Sequence, residues 1–166
     1  MLSYRQLKEE LTRKTVTIYC DMDGVLADFV KFANEKSGGK FTDSHWDKLP
    51  DNTYELLDPM PDAKKLFSYI NKYRLYILTA YPSAKRGNIS KEAPEDKIGW
   101  MKKVFNFSRS KIYTVLRAEK KDYAKENAIL IDDDIRNIKE FKAAGGVAIL
   151  HTSADSTIKQ LKELGL

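Results

Sequence analysis

The chain has 166 residues, of which 42% are hydrophobic and 32% charged, with a formal net charge of +5 and a single cysteine. That length holds one core with a modest insertion and excludes two full domains. No apolar run approaches the ~20 residues that span a bilayer, the N-terminus lacks a secretory apolar stretch, and one cysteine excludes an intramolecular disulfide, so the composition points to a cytoplasmic protein with no membrane partner.

In chain order, Ser3-x-x-Gln6 reads as a capping box opening a short amphipathic helix with Leu7 and Leu11 on one face. Val16-Thr17-Ile18-Tyr19 is β-branched and aromatic and predicts a buried strand, with Gly24 marking a tight turn just beyond it. Cys20, within that strand, reads as small apolar packing. From Phe29 to Asp58 no strand–helix repeat is visible; Ser37-Gly38-Gly39 and His45-Trp46 fall here, where an insertion would sit. From Pro61 the alternation is regular: helix 62–71, strand 74–79, helix 95–105, strand 111–116, helix 119–126, strand 128–131, helix 135–144, strand 147–150 and helix 155–164. Such alternation predicts a parallel sheet covered on both faces. His45 and His151 have no ligand-like spacing and read as structural or surface residues, while Trp100, Met101 and Val104 fall at core spacing on a helix.

Charge is uneven. Lys and Arg number 8 against 11 Asp and Glu in residues 1–60, 16 against 7 in 61–130, and 5 against 6 in 131–166. The basic middle segment, with Lys64, Lys65, Lys102, Lys103 and Lys125, reads first as solvated helix faces. Steering of an anionic substrate or of nucleic acid toward an Asp-rich cleft is the alternative.

The chemistry lies at strand ends. Asp21 and Asp23 follow the first strand two residues apart, at the edge of an open parallel sheet where ligands bind, so one carboxylate can attack or coordinate while the other handles protons. Thr79 ends the strand 74–79. Lys120 and Lys121 open the helical stretch after the strand 111–116, and Asp132-Asp133-Asp134 follows the strand 128–131. Asp134 reads as the N-cap of the next helix. A signalling receiver domain uses similar parts, but it places the acidic pair first and the lysine last, and the order here differs.

Carboxylate pair, hydroxyl, lysine and acidic pair, in that order, resemble the four motifs of the haloacid dehalogenase superfamily of phosphohydrolases: Asp21-Met22-Asp23-Gly24-Val25, Thr79, Lys120 or Lys121, and Asp132-Asp133. The wording Asp21-Met22-Asp23-Gly24-Val25-Leu26-Ala27-Asp28-Phe29 is narrower and resembles the 5′(3′)-deoxyribonucleotidase branch. Tyr54-Glu55-Leu56-Leu57-Asp58-Pro59-Met60-Pro61, Asp96-Lys97-Ile98-Gly99-Trp100 and Ile129-Leu130-Ile131-Asp132-Asp133 agree with it. One departure stands at Ala80, where that branch usually has Ser.

The resemblance implies an α/β fold, a Rossmann-like three-layer sandwich with a parallel central sheet and a small helical cap inserted after the first strand. Residues 1–28 and 60–166 would form the core and 29–59 the cap. It also implies Mg²⁺, held by the Asp21 and Asp132 side chains and the Asp23 backbone carbonyl. Asp133 would hold a metal-bound water or position the lysine. Asp21 would attack phosphorus to give an aspartyl-phosphate, Asp23 would serve as general acid and then base, and Thr79 with backbone N–H groups around Met22, Asp23 and Ala80 would cradle the phosphoryl oxygens. Of the lysines, Lys120 fits the Lys-x-x-apolar pattern better, with Lys121 left open. Phe29, Trp46 and Tyr54 stand where the branch stacks aromatics on a base; the rival reading is that they form the cap's own small core.

The expected activity is dephosphorylation of a deoxyribonucleoside monophosphate. A phosphatase for polynucleotide 3′-ends and a phosphate-binding module without turnover are the alternatives, nucleic acid being the less favoured partner. A homodimer is left open.

Overall fold

The structure, a computed structural model, describes Ser3, Gln6 and residues 15–166. Ser3 and Gln6 exchange the two hydrogen bonds of a capping box, the Ser3 N–H reaching Gln6 Oε1 at 2.8 Å and the Gln6 N–H reaching Ser3 Oγ at 3.3 Å. Leu7 and Leu11 lie outside the described residues.

Among the described residues, five strands form one parallel sheet: β1 Thr17–Cys20, β2 Arg74–Ala80, β3 Ile112–Val115, β4 Ala128–Asp132 and β5 Val147–Leu150, in the spatial order β3-β2-β1-β4-β5. Their β-branched and aliphatic content suits strands buried on both faces. The register pairs Cys20 with Ile77 on one side and with Ile131 on the other. The strand order therefore reverses between β1 and β4, which opens a crevice at their carboxyl ends. Asp21 and Asp132 come out side by side there.

Among the described residues, five α-helices accompany the sheet: α1 Phe29–Ser37, α2 Ala63–Ile70, α3 Asn88–Phe105, α4 Ile135–Ala143 and α5 Ala154–Glu163. One face of the sheet packs Ile18, Leu75, Ile77, Ile129 and Ile131 against Leu66 and Ile70 of α2, Trp100 and Met101 of α3, and Leu161 of α5. The other face packs Leu78, Leu130 and Ala148 against Ile138 and Phe141 of α4. This is the three-layer sandwich that the alternation predicts. Among the described residues, no helix is long and apolar enough to cross a membrane.

Two elements differ from the sequence-based expectation. Helix α3 begins at Asn88 and carries Pro94 inside it, where the expected helix starts only after that proline. A proline here removes one backbone hydrogen bond. Burial of Ile89 and Ala93, and the bond from Ser90 Oγ to the Pro82 carbonyl at 2.7 Å, hold the extra turns in place. Where an α-helix was expected over 119–126, the chain forms a 3-10 turn, Arg117–Tyr123. Only four residues separate its end from β4, and Glu119 turns back to accept the Leu116 N–H at 2.8 Å, which tightens the first turn.

Residues 29–57 form α1 and two 3-10 turns, Asp43–Lys48 and Thr53–Leu56. Asp28 caps α1 by accepting the Lys31 N–H, and Gly38, at φ 74°, closes it in the left-handed conformation that glycine tolerates. The base of the segment is pinned by hydrogen bonds from Asp28 N to Asp58 O and from Met60 N to Leu26 O, both 2.8 Å. Its buried residues Leu49, Tyr54 and Leu57 join the core on the first face of the sheet.

Candidate active site

Asp21 sits one residue past β1 and is 6% exposed; its N–H donates to the Ile131 carbonyl, which fixes it against β4. Lys120, 2% exposed, reaches from the 3-10 turn and places its ammonium 2.9 Å from Asp21 Oδ1 and 2.7 Å from Asp132 Oδ2. Lys121 is exposed. Successive residues of this turn leave it in different directions, so only one of the two lysines can face the sheet edge. Burial alone would lower the Lys120 pKa, but Asp21 and Asp132 outweigh it and hold the ammonium above the ordinary lysine value.

Asp132 is fully buried at the end of β4. Its Oδ1 accepts the Asp134 N–H at 2.9 Å, and Asn137 Nδ2 donates to both carboxylate oxygens at 3.0 and 3.1 Å. Burial and the neighbouring Asp21 push its pKa up, with Lys120 pulling against them. Asp133 is exposed as a residue, yet its carboxylate turns back onto Gly24, where a Cβ would run into Asp133 Oδ2. With φ at +78°, Gly24 is required twice over, by backbone conformation and by this approach. Desolvation there, then Asp21 and Asp132, raise the Asp133 carboxyl to about 7. Asp134 caps α4 as expected, accepting the Arg136 N–H at 2.9 Å.

Asp21, Asp132 and Asp133 each offer an oxygen within 4.8 Å of the others. Three carboxylates face one ammonium, leaving an excess of negative charge that a hard divalent cation would offset. Oxygen-only donors of this kind fit Mg²⁺.

Asp23 and Thr79 are joined by a residue of the branch-like stretch Asp96-Lys97-Ile98-Gly99-Trp100 to which the sequence assigned no role. Lys97, with no exposed surface, pairs with Asp23 Oδ2 and donates to Thr79 Oγ1 at 3.1 Å. Its ammonium also lies 4.0 Å from the centre of the Tyr54 ring. The signal was present: Lys97 stands in the stripe Ala93, Lys97, Trp100, Met101, a cation at core spacing on α3. A lysine there has to find an anion inside. Burial pushes the Asp23 carboxyl above the ordinary range, with Lys97 pulling the other way. Asp23 Oδ1 is buried and finds no partner among the described residues.

These groups open on a cleft of about 270 Å³ lined by Asp21, Asp23, Gly24, Phe29, Ala80, Lys120 and Asp133, and also by Arg117 and Arg136. Of the three expected base-stacking rings, Phe29 alone lines it. Tyr54 is 3% exposed and stacks against Phe29, ring centres 5.8 Å apart. Trp46 packs on Phe29 and Phe41 and lines a neighbouring cleft beside Arg86. The Met22 N–H, expected among the phosphate donors, is engaged by Asp21 Oδ1 at 2.8 Å.

No protein-family model matches the chain, and no curated protein matches it by sequence. Solved structures do. D,D-heptose 1,7-bisphosphate phosphatase from Burkholderia thailandensis superposes over 88% of this chain and 97% of its own, with a TM-score of 0.53 at 10% identity. L-2-haloacid dehalogenase from Xanthobacter autotrophicus superposes over 89% of this chain and 82% of its own, with a TM-score of 0.52 at 13% identity. The chain has the haloacid dehalogenase fold. At these identities the likeness carries the architecture, and in the haloacid dehalogenase fold as in others the chemistry has to be argued from the site.

Proposed function

We propose that the chain is a magnesium-dependent phosphomonoester hydrolase of 5′(3′)-deoxyribonucleotidase type, acting in the cytoplasm on nucleoside monophosphates. The observation that carries this reading is Lys120 bridging Asp21 and Asp132 at the switch point, beside an Asp23–Lys97–Thr79 group. A cation bound by Asp21, Asp132 and the Asp23 backbone carbonyl, with Asp133 behind it, would neutralise the phosphate dianion that an attacking carboxylate otherwise repels.

Within that site Asp21 is the nucleophile, its carboxylate held by the Met22 N–H and by Lys120. Attack on phosphorus forms an aspartyl-phosphate while the ester oxygen leaves with a proton from Asp23. Its raised pKa supports this acid role, since a carboxyl that keeps its proton nearer neutrality is the better donor. Asp23, now ionised, takes a proton from the water that releases phosphate. Thr79 Oγ1 and Lys120 stabilise the phosphoryl oxygens as charge shifts. Lys97 keeps Asp23 and Thr79 in register through both steps.

Residues 29–59 act as the cap and set substrate choice, with Phe29, the one aromatic among the described residues that line the cleft, offering its face to a base. Phosphate release should be screened over deoxyribo- and ribonucleoside monophosphates, sugar phosphates and 3′-phosphorylated oligonucleotides, with Mg²⁺ and with chelator. The reading predicts Mg²⁺-dependent release that is fastest from a mononucleotide. Fastest release from a sugar phosphate would keep the phosphatase and discard the nucleotidase, whereas no release from any phosphomonoester would discard both.

A further inference from the structure

Arg117 has no part in the chemistry above, yet it touches the residue that orients Asp132. Its Nη1 donates to Asn137 Oδ1 at 3.1 Å, and Nη1 and Nη2 together grip the Glu140 carboxylate at 3.1–3.2 Å. Asn137 is 4% exposed, and its Nδ2 is the group that donates to both oxygens of Asp132. A guanidinium only donates and a carboxylate only accepts. The amide lying between them therefore satisfies both in a single orientation; rotated by half a turn, it would set oxygen against carboxylate and N–H against guanidinium.

The elements involved give this contact its reach. Arg117 and Lys120 are the first and fourth residues of one 3-10 turn, and side chains three apart on such a turn eclipse one another. Arg117 clasps α4 through Asn137 and Glu140, which lie three residues apart on one helical face, while Lys120 reaches Asp21 and Asp132. The clasp thus registers the turn that carries the lysine against the helix that follows the acidic pair. Its outer half is open to water: the Arg117 and Glu140 side chains are 34% and 36% exposed. A pair so exposed contributes little to overall stability, so its loss should be read at the site.

We propose that Arg117, held by Glu140, is a positioning residue that locks the Asn137 amide and thereby fixes the Asp132 carboxylate for the cation and for Lys120. This rests on the reading of Asp132 as a metal ligand. The test uses the full chain with Mn²⁺ as a paramagnetic probe of the cation site, alongside kcat and KM for p-nitrophenyl phosphate. Arg117→Gln should weaken Mn²⁺ binding about tenfold, at the low end of what outer-shell partners of metal ligands contribute. It should lower kcat with little change in KM. Arg117→Lys, which still donates to Asn137 Oδ1, should recover most of both losses. Asn137→Ala should match Arg117→Gln, and the double variant should be no worse than either, because the two act in series. Should Asn137→Ala fail to fold, the two Arg117 variants carry the test by themselves. Additive losses, or a rise in KM with native Mn²⁺ affinity, would overturn the relay and make Arg117 a substrate contact. Native Mn²⁺ binding that is unchanged in Arg117→Gln overturns the clasp alone. A native protein that binds no Mn²⁺ overturns the metal reading and the clasp with it.

Discussion

Asp133 is a carboxylate whose charge the site accommodates poorly. Its pKa stands at about 7 in the folded chain, against roughly 4 for an unfolded aspartate. Between those values the folded state keeps a proton that the unfolded state has lost, so folding is favoured at the acid end and loses that contribution as pH rises. Without metal, the melting temperature of the native protein relative to Asp133→Asn should therefore fall from about pH 5 to about pH 7.5. Referencing to the variant cancels His151, whose pKa burial lowers, and Asp96, which burial and then Glu55 and Glu92 raise. Mg²⁺ should reverse the loss at neutral pH, because binding to the folded state alone stabilises it. A difference that stays flat or grows with pH would mean that this carboxylate is neither desolvated nor held beside negative charge. At this scale, strand ends and chain order marked the acidic residues and the pair Lys120 and Lys121, between which only the pattern of the resemblance favoured Lys120. Asn137 and Arg117 were not marked, and Lys97 stood out only as a cation at core spacing on a helix, since nothing local names its partner Asp23, 74 residues away.

Among the elements, the insertion divides its rings between two tasks. Phe29 faces the cleft while Tyr54 is buried beneath it, so their replacements should separate. Phe29→Ala should reduce catalytic efficiency on nucleotides by about 1–3 kcal/mol, the worth of one base–aromatic contact. Hydrolysis of p-nitrophenyl phosphate should be spared. Tyr54→Ala should instead destabilise the protein by about 3–5 kcal/mol, as for other large buried rings, and affect both substrates alike. Equal losses of efficiency for both substrates in Phe29→Ala would make that ring packing only. Aromatic residues between two core elements were visible in the sequence, but which ring is covered depends on how Phe29, Phe41, Trp46 and Tyr54 lie on one another. Helix ends were the other blind spot: Pro94 reads locally as a start, and buried Ile89 and Ala93 carry the helix past it.

Across the whole molecule, the alternation from Pro61 onward already implied a parallel sheet. It carried no information on strand order, because the pairing of β1 with both β2 and β4 depends on crossovers that leave no periodic trace. That order brings Asp21, Thr79 and Asp132 from three strand ends, and Lys120 from the turn after a fourth strand, to one crevice. Attack by Asp21 on phosphorus is the claim on which the proposed function stands. It is tested most directly by acid-quenching a single turnover of ³²P-labelled substrate and mapping the labelled peptide. The account predicts hydroxylamine-sensitive label on the peptide containing Asp21, and neither label nor turnover in Asp21→Asn. Phosphate release by the native protein with no label at Asp21, or undiminished release by Asp21→Asn, would contradict it.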